Sequence, residues 1–280
     1  MLFNPSPEEL ERVCRISEKM PGVIVDNSSE RAFTADRVGK MDYVFLGYNS
    51  GIAFAQNVGM RRLLKQPDIR YILLFDQDSA WPQDYPQQMR DEMERIRRFE
   101  PHLAALGPMV VNKSTGEAYG SVVHTFPEGR DGFVQQREVI ASGCMLTREA
   151  LENVGLNDER LFIDFVDCEW CWRAQRNGYV CGLTRHIVLE HQVGQRQMHL
   201  GRHIIIVSAP FRYYYQYRNL LWLARRSYVP LRFKCFKGAK ALLRFVYFPF
   251  VVRGGVKIWR QMLRGIFDGL KPCPPQKKET

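Results

Sequence analysis

The run Tyr71-Ile72-Leu73-Leu74-Phe75-Asp76-Gln77-Asp78-Ser79 decides how this chain is read, because five apolar residues lead straight into two carboxylates one residue apart. The apolar stretch reads as a buried strand, with Asp76 and Asp78 emerging at its carboxyl end. In an open α/β sheet the carboxyl ends of strands border the crevice where ligands bind. Clustered carboxylates repel one another unless a proton or a cation compensates them, so a divalent metal holding a phosphorylated ligand suits the pair. The same four polar residues also suit a loop in which Asp78 or Ser79 caps the next helix.

On the N-terminal side, Ser6-Pro7-Glu8-Glu9 combines an N-cap serine, a first-turn proline and a glutamate three residues after the cap, predicting a helix to about Met20. Val23-Ile24-Val25 follows as a short strand ending in Asp26-Asn27-Ser28-Ser29, and Tyr43 to Leu46 is another. Gly51 to Leu64 places Ile52, Ala55, Val58 and Leu63 on one helical face. Beyond Asp78, Leu103 to Val111 and Val139 to Leu146 read as strands, with Gly143 a bulge or close backbone approach, and Asn112 to Gly132 as a polar loop. Strands alternating with helices predict an α/β fold with a mostly parallel, doubly wound sheet.

A chain of 280 residues can bury a full core. Its seven cysteines are an odd number without framework spacing, and Met1-Leu2-Phe3-Asn4-Pro5 lacks the charged and apolar regions of a signal peptide, so a reducing, cytoplasmic setting is expected. Charge is uneven: from Arg196 onward 18 Lys and Arg stand against Asp268 and Glu279, a net of +16, whereas residues 1–195 carry −6. The basic part is rich in Phe, Tyr and Trp, yet Arg244 and Pro249 interrupt its longest apolar stretch, Leu242 to Val252, so no segment spans a bilayer. Helices lying on an anionic membrane surface fit that composition, peripheral on the inner face of the membrane. No nucleic-acid-binding module is recognisable, so nucleic acid is not expected as a partner.

Three polar loops therefore follow strands, at Asp26, at Tyr48-Asn49-Ser50-Gly51 and at Asp76, and the spacing Asn49-x-Gly51-x-Ala53-x-Ala55-x-Asn57-x-Gly59 joins the second to a helix. This order resembles family 2 glycosyltransferases of the GT-A fold, and Asp76-Gln77-Asp78-Ser79 is similar to their bacterial rhamnosyltransferase branch. Phe162 to Arg173 matches the family's acidic helix start, Leu189-Glu190-His191 its late histidine, and Tyr213-Tyr214-Tyr215-Gln216-Tyr217-Arg218-Asn219 a stretch that follows the catalytic domain. The resemblance implies a GT-A catalytic domain over residues 1–200 and a C-terminal basic, aromatic helical region over 201–280. It implies Asp167 as catalytic base, Asp26, Asn49, Asn57 and Asp76 on the nucleotide sugar, and Asp78 and His191 on a Mg or Mn ion. Glu169 and Arg173, four residues apart, would brace the helix bearing the base. The implied reaction is inverting transfer of L-rhamnose from dTDP-rhamnose to a glycan or lipid-linked acceptor. One departure stands out: family members begin with an apolar strand before the Phe-Asn-Pro, and here most of that first strand is missing.

Two other readings fit parts of the pattern. An apolar strand followed by Asp-x-Asp also resembles the nucleophile loop of haloacid-dehalogenase-type phosphatases, with Asp76 phosphorylated and Asp78 as acid/base. The shortened first strand also fits a non-catalytic, membrane-associated scaffold that keeps the GT-A fold.

Overall fold

The computed structural model describes residues 1–78, 81–112, 129–191, 196–200 and 203–275; for 112, 190, 191, 196–200 and 203–206 it describes the backbone alone. The capping box forms as expected: Glu9 N donates to Ser6 Oγ at 3.3 Å and Ser6 N donates to Glu9 Oε2 at 2.7 Å, opening α1 (Pro7–Ser17). Its apolar face, with Leu10, Val13 and Ile16, packs on Ile24, Met41 and Tyr43 of the first sheet. That sheet joins β1 (Gly22–Asp26) in parallel to β3 (Met41–Phe45), with β2 (Arg37–Val38) antiparallel on the far side of β3.

A second sheet has the order β4-β7-β5-β8-β6, from β4 (Tyr71–Leu73), β5 (Leu103–Asn112), β6 (Phe133–Gln136), β7 (Met145–Thr147) and β8 (Val180–His191). The α/β class holds, but the pairing is mixed rather than mostly parallel. β5 and β8 run together, whereas β7 is antiparallel to both β4 and β5, and β6 is antiparallel to β8. Because β7 is reversed between them, β4, β5 and β8 share one direction and end at the same edge. The strand expected over 139–146 shrinks to Met145–Thr147: Gly143 adopts φ 74°, its N–H donates to Leu74 O, and Cys144 N turns back to Ala141 O. Residues 139–144 thereby become a loop at that edge.

Helices cover both faces of the second sheet. On one face, Ala150 and Leu151 of α4 (Arg148–Val154) and Trp170, Cys171 and Ala174 of α5 (Val166–Arg176) pack against Ile72, Ala105 and Cys181, together with Met60 of α2 (Ile52–Leu64). On the other, Tyr85, Met89, Met93 and Ile96 of α3 (Tyr85–Arg97) cover Leu103, Leu106 and Met145. Each such fully buried apolar side chain contributes about 1.5–3 kcal/mol. A short hairpin, β9 (Arg196–Leu200) with β10 (His203–Val207), leads into α6 (Pro210–Ala224), α7 (Leu231–Val251) and α8 (Gly255–Leu270). Tyr213 and Tyr217 of α6, Phe248 of α7, and Ile258 and Met262 of α8 form their shared core. None of the described helices is long and apolar enough to cross a membrane.

The residues at Met1 and Leu2 occupy part of the position expected for a first strand. Leu2 lies parallel to β1, bridging Asp26: its N–H donates to Val25 O at 2.8 Å and its carbonyl accepts from Asn27 N at 2.9 Å. Met1 N donates to Phe75 O at 3.3 Å, so the ends of β1 and β4 meet at these two residues. Behind them, between the facing edges of β1 and β4, is a cavity of about 520 Å³ whose walls include Ile24, Met60, Ile72 and Leu74. A strand running into Met1 in the register of Leu2 would lie along both edges. Four alternating apolar residues added before Met1 are therefore expected to raise Tm by a few degrees, as burial and ladder hydrogen bonds outweigh chain ordering. An unchanged or lower Tm in thermal denaturation would show that the cavity does not accept a strand.

Candidate active site

The β1 loop is built around Asp26, which is fully buried. Its Oδ1 accepts from Ser28 N at 3.0 Å, and its Oδ2 accepts from Ala32 N at 2.9 Å and from the Tyr43 hydroxyl at 2.5 Å. Burial pushes this carboxyl up, but the Tyr43, Ser28 and Ala32 bonds outweigh it and hold the group below its ordinary value. With its oxygens so engaged, Asp26 shapes the 27–33 loop from within. Asn27, which follows, reaches across to the second loop: its Oδ1 accepts from both Ser50 N and Ser50 Oγ at 2.7 Å, and its amide donates to Asn49 Oδ1 at 3.1 Å. Asn49 in turn accepts from Gly51 N and stays exposed beside Tyr48.

Gly51 sits at φ 85°, and a Cβ there would lie 2.6 Å from the Phe162 ring. The turn can therefore close against the 161–165 loop only with glycine. Asn57 is held inside the fold. It is fully buried, its amide donates to Asn157 O and Glu159 Oε1, and its Oδ1 accepts from Asn157 N at 2.9 Å. These bonds clamp α2 to the 157–159 segment.

Asp76 lies three residues beyond the end of β4, half-buried, and Asp78 is exposed after it. Burial pushes the Asp76 carboxyl up; the Met1 ammonium opposes this, the Asp78 charge adds to it, the Ser142 hydroxyl opposes it, and the Asp167 charge adds to it again. Asp76, Asp78 and Asp167 thus lie within electrostatic reach of one another. Among the described residues, no three His, Cys, Asp or Glu side chains converge as a metal cage. A Mg or Mn ion that keeps water and diphosphate oxygens in its shell needs only one or two carboxylates. The crowded Asp76–Asp78 pair, whose mutual repulsion such an ion would relieve, fits that requirement. His191 ends β8 opposite Asn112, at the same sheet edge, and its side chain lies outside the described residues.

Asp167 stands in the first turn of α5. Its Oδ1 accepts from Cys168 N at 2.9 Å, and Ala141 N–H, from the loop that replaced the expected strand, also reaches its carboxylate. Burial is the dominant influence and pushes this carboxyl up despite those hydrogen bonds. The loop entering α5 is held in strained geometry, with Phe162, Asp164 and Phe165 all at φ near +65°. Ile163 N donates to Leu161 O at 2.7 Å, making Phe162 the centre of a tight γ-turn. Such residues cost about 1–3 kcal/mol each and persist only where their surroundings over-determine them. Here Asn219, fully buried on α6, donates to the carbonyls of Leu161, Ile163 and Asp164, and Arg218 donates to those of Arg160 and Leu161. Tyr215 stacks on Phe162 at 4.5 Å between centroids, and Arg212 pairs with Asp164 at 2.5 Å.

Glu169 and Arg173 form the expected i,i+4 pair, at 3.0 Å, and do more than brace α5. Arg173 donates to Val154 O and Leu156 O, while Glu169 also accepts from Arg226 at 3.1 Å and from the Tyr228 hydroxyl at 2.5 Å. Arg226 reaches on to Asp158 at 2.5 Å. Sequence reading missed Arg226, Asn219, Ser142 and Ala141, which lie far along the chain from the residues they hold. The pairing of Arg218 and Asn219 was visible as a motif, without a partner to give it a role.

Because the folded protein holds the Asp167 proton more tightly than the unfolded chain does, stability is greatest where the group is protonated and falls as pH rises past the unfolded value. Asp167→Asn is therefore expected to raise Tm at neutral pH, with the gain vanishing below about pH 4. Thermal unfolding across that range checks it, and a variant less stable at neutral pH would contradict it.

No protein-family model matches the chain. It is 26% identical to the dTDP-rhamnosyl transferase RfbF of Shigella flexneri over 283 residues, covering 96% of this chain and 93% of that protein. Among solved structures, the mannosyltransferase PcManGT from Pyrobaculum calidifontis, in complex with GDP-Man and Mn²⁺, superposes with a TM-score of 0.51 at 14% identity, covering 94% of this chain and 71% of that one. S. aureus TarS gives 0.52 at 14% identity over 96% of this chain and 47% of its own, so the chain spans about half of TarS. The chain thus has the GT-A fold and is similar, along nearly its whole length, to a dTDP-rhamnosyl transferase.

Proposed function

We propose that the chain is an inverting, metal-dependent family 2 glycosyltransferase that moves L-rhamnose from dTDP-β-L-rhamnose to a hydroxyl of a glycan or lipid-linked acceptor. What supports this reading is that Asp76 and Asp78, after β4, and Asp167, in the first turn of α5, lie within electrostatic reach of one another, in a chain similar to a dTDP-rhamnosyl transferase. Asp78 would hold the metal together with the donor diphosphate, Asp76 would support it or meet the ribose, and His191 would complete the shell. A bound Mg or Mn ion supplies neutralisation of the departing diphosphate, worth several kcal/mol. Asn49 would meet the nucleoside from the loop that Asp26 and Asn27 shape. Asp167 would accept the proton of the acceptor hydroxyl as its oxygen bonds to the anomeric carbon and the carbon–oxygen bond to dTDP breaks, leaving an α-L-rhamnoside. Its raised proton affinity suits a base that works near neutral pH.

Loss of a general base removes roughly two to four orders of magnitude of rate. Asp167→Asn is expected to lose transfer to that extent with donor binding intact, whereas Asp78→Ala loses Mn²⁺-dependent donor binding in calorimetry. Equal loss of donor binding in Asp167→Asn would remove it from the role of base.

A second part of the reading concerns the C-terminal helices, which we infer rest on an anionic membrane surface at the cytoplasmic face. Leu242, Leu243, Val246 and Phe250 on α7 and Phe267 and Leu270 on α8 are exposed, with Phe250 at 87%. Bulky apolar side chains among so many Arg and Lys match an interfacial helix, in which each basic residue near anionic lipid contributes about 1 kcal/mol. Replacing Leu243, Val246 and Phe250 by serine is expected to abolish flotation with phosphatidylglycerol vesicles. Undiminished flotation would place the contact elsewhere.

A further inference from the structure

The end of the loop into α5, at Asp164 and Phe165, forms one wall of a second pocket, of about 200 Å³, closed by Gln216 of α6 and by Lys237, Lys240 and Arg244 of α7. The three cations stand at i, i+3 and i+7, a spacing that puts them on one helix face. None of them forms an ion pair with a carboxylate, and Gln216 makes no hydrogen bond, among the described residues. Lys237 and Arg244 lie over the aromatic faces of Phe233 and Phe248. The pocket's one carboxylate, Asp164, is already held by Arg212 at 2.5 Å and 3.3 Å. Burial lowers the Lys240 proton affinity, and the Arg244 and Lys237 charges lower it further. Cations gathered in one recess without a counter-charge repel one another until an anion enters.

We propose that this pocket binds a phosphate-ester anion of the acceptor, holding it by Lys237, Lys240 and Arg244 on the side of α5 that begins with Asp164 and Phe165. The proposal rests on the glycosyltransferase reading for its biological use, but the binding itself does not. An acceptor anchored two residues from Asp167 along the chain would present its hydroxyls to that base. It would also favour phosphorylated acceptors, whether lipid-borne or soluble.

The test is a titration of the full chain with inorganic pyrophosphate in EDTA, where metal-dependent donor binding is off. Lys237→Gln/Lys240→Gln/Arg244→Gln is expected to weaken binding by on the order of tenfold or more, since each lost charge-assisted contact contributes over a kcal/mol. The charge-retaining Lys237→Arg/Lys240→Arg/Arg244→Lys keeps it. Stabilisation by dTDP with Mn²⁺ serves as the fold control for both variants. Unchanged pyrophosphate affinity in the glutamine variant, or its loss in Asp78→Ala instead, would overturn the proposal. With phosphatidylcholine vesicles, preference for phosphatidic acid over phosphatidylglycerol at matched charge, lost in the glutamine variant, identifies a lipid-borne phosphate. Equal binding to both lipids with pyrophosphate binding retained identifies a soluble one. Pyrophosphate binding without any sugar transfer would leave the pocket standing and remove only the rhamnosyltransferase reading.

Discussion

Arg226 is the residue on which the active-site half of the molecule depends. It stands between Asp158 and Glu169, at 2.5 Å and 3.1 Å, and both carboxylates are almost completely buried, at 3% and 1% exposure. Burial disfavours the Asp158 and Arg226 charges, yet Arg160 and Arg226 hold Asp158 below its ordinary value, and Asp158 and Glu169 help hold the Arg226 proton. Such a cluster adds little net stability over a well-packed apolar one, but taking out one partner strands a buried charge and costs about 3–5 kcal/mol. Its structural effect is positional. Asp158 precedes the loop into α5, Glu169 lies within α5, and Arg226 follows α6, so one guanidinium joins the helix bearing Asp167 to the C-terminal helices.

That joint explains why the strained loop between them can persist. Phe162, Asp164 and Phe165 occupy backbone regions that side chains resist, and the loop is gripped from α6 by Asn219 and Arg218 through its carbonyls and by Arg212 through Asp164. The same loop meets the start of α2 at Gly51, where Ala53 N donates to Phe162 O at 3.3 Å. The Gly51 turn, the helix bearing Asp167 and the C-terminal helices therefore share one short segment. On the proposed function, rigidity at this point would favour catalysis, because groups held in working geometry need no reorganisation as charge develops.

The C-terminal helices consequently have two surfaces with different tasks. Tyr213, Tyr217, Asn219 and Trp222 of α6 face inward, and Phe233 of α7 packs on Phe165 and Trp172 beside the start of α5. The opposite face of α7 leaves Leu242, Val246 and Phe250 in solvent. On the proposed function, an element that touches both the loop into α5 and an exposed apolar, basic surface would bring an acceptor and a base together.

Much of this was legible in the sequence, and the rest was hidden for identifiable reasons. Local signals were read correctly where the chemistry is local: the Ser6 capping box, the apolar run ending in Asp76, the Glu169–Arg173 spacing and the basic, aromatic character of the last third all depend on neighbours within a few residues. The partner of Asn57 was hidden because an amide in an Asn-x-Gly pattern looks the same whether it faces a ligand or Asn157, a hundred positions away. The strand expected over 139–146 was curtailed by Gly143 turning back on Leu74, and the parallel order was broken by β7 inserting between β4 and β5. The sequence by itself determined which residues could carry charge, cap helices and fill a core. Only the tertiary structure decided which carboxylates meet, which cations are left without partners and which polar groups are consumed internally, because those outcomes depend on burial and on contacts between residues far apart in the chain.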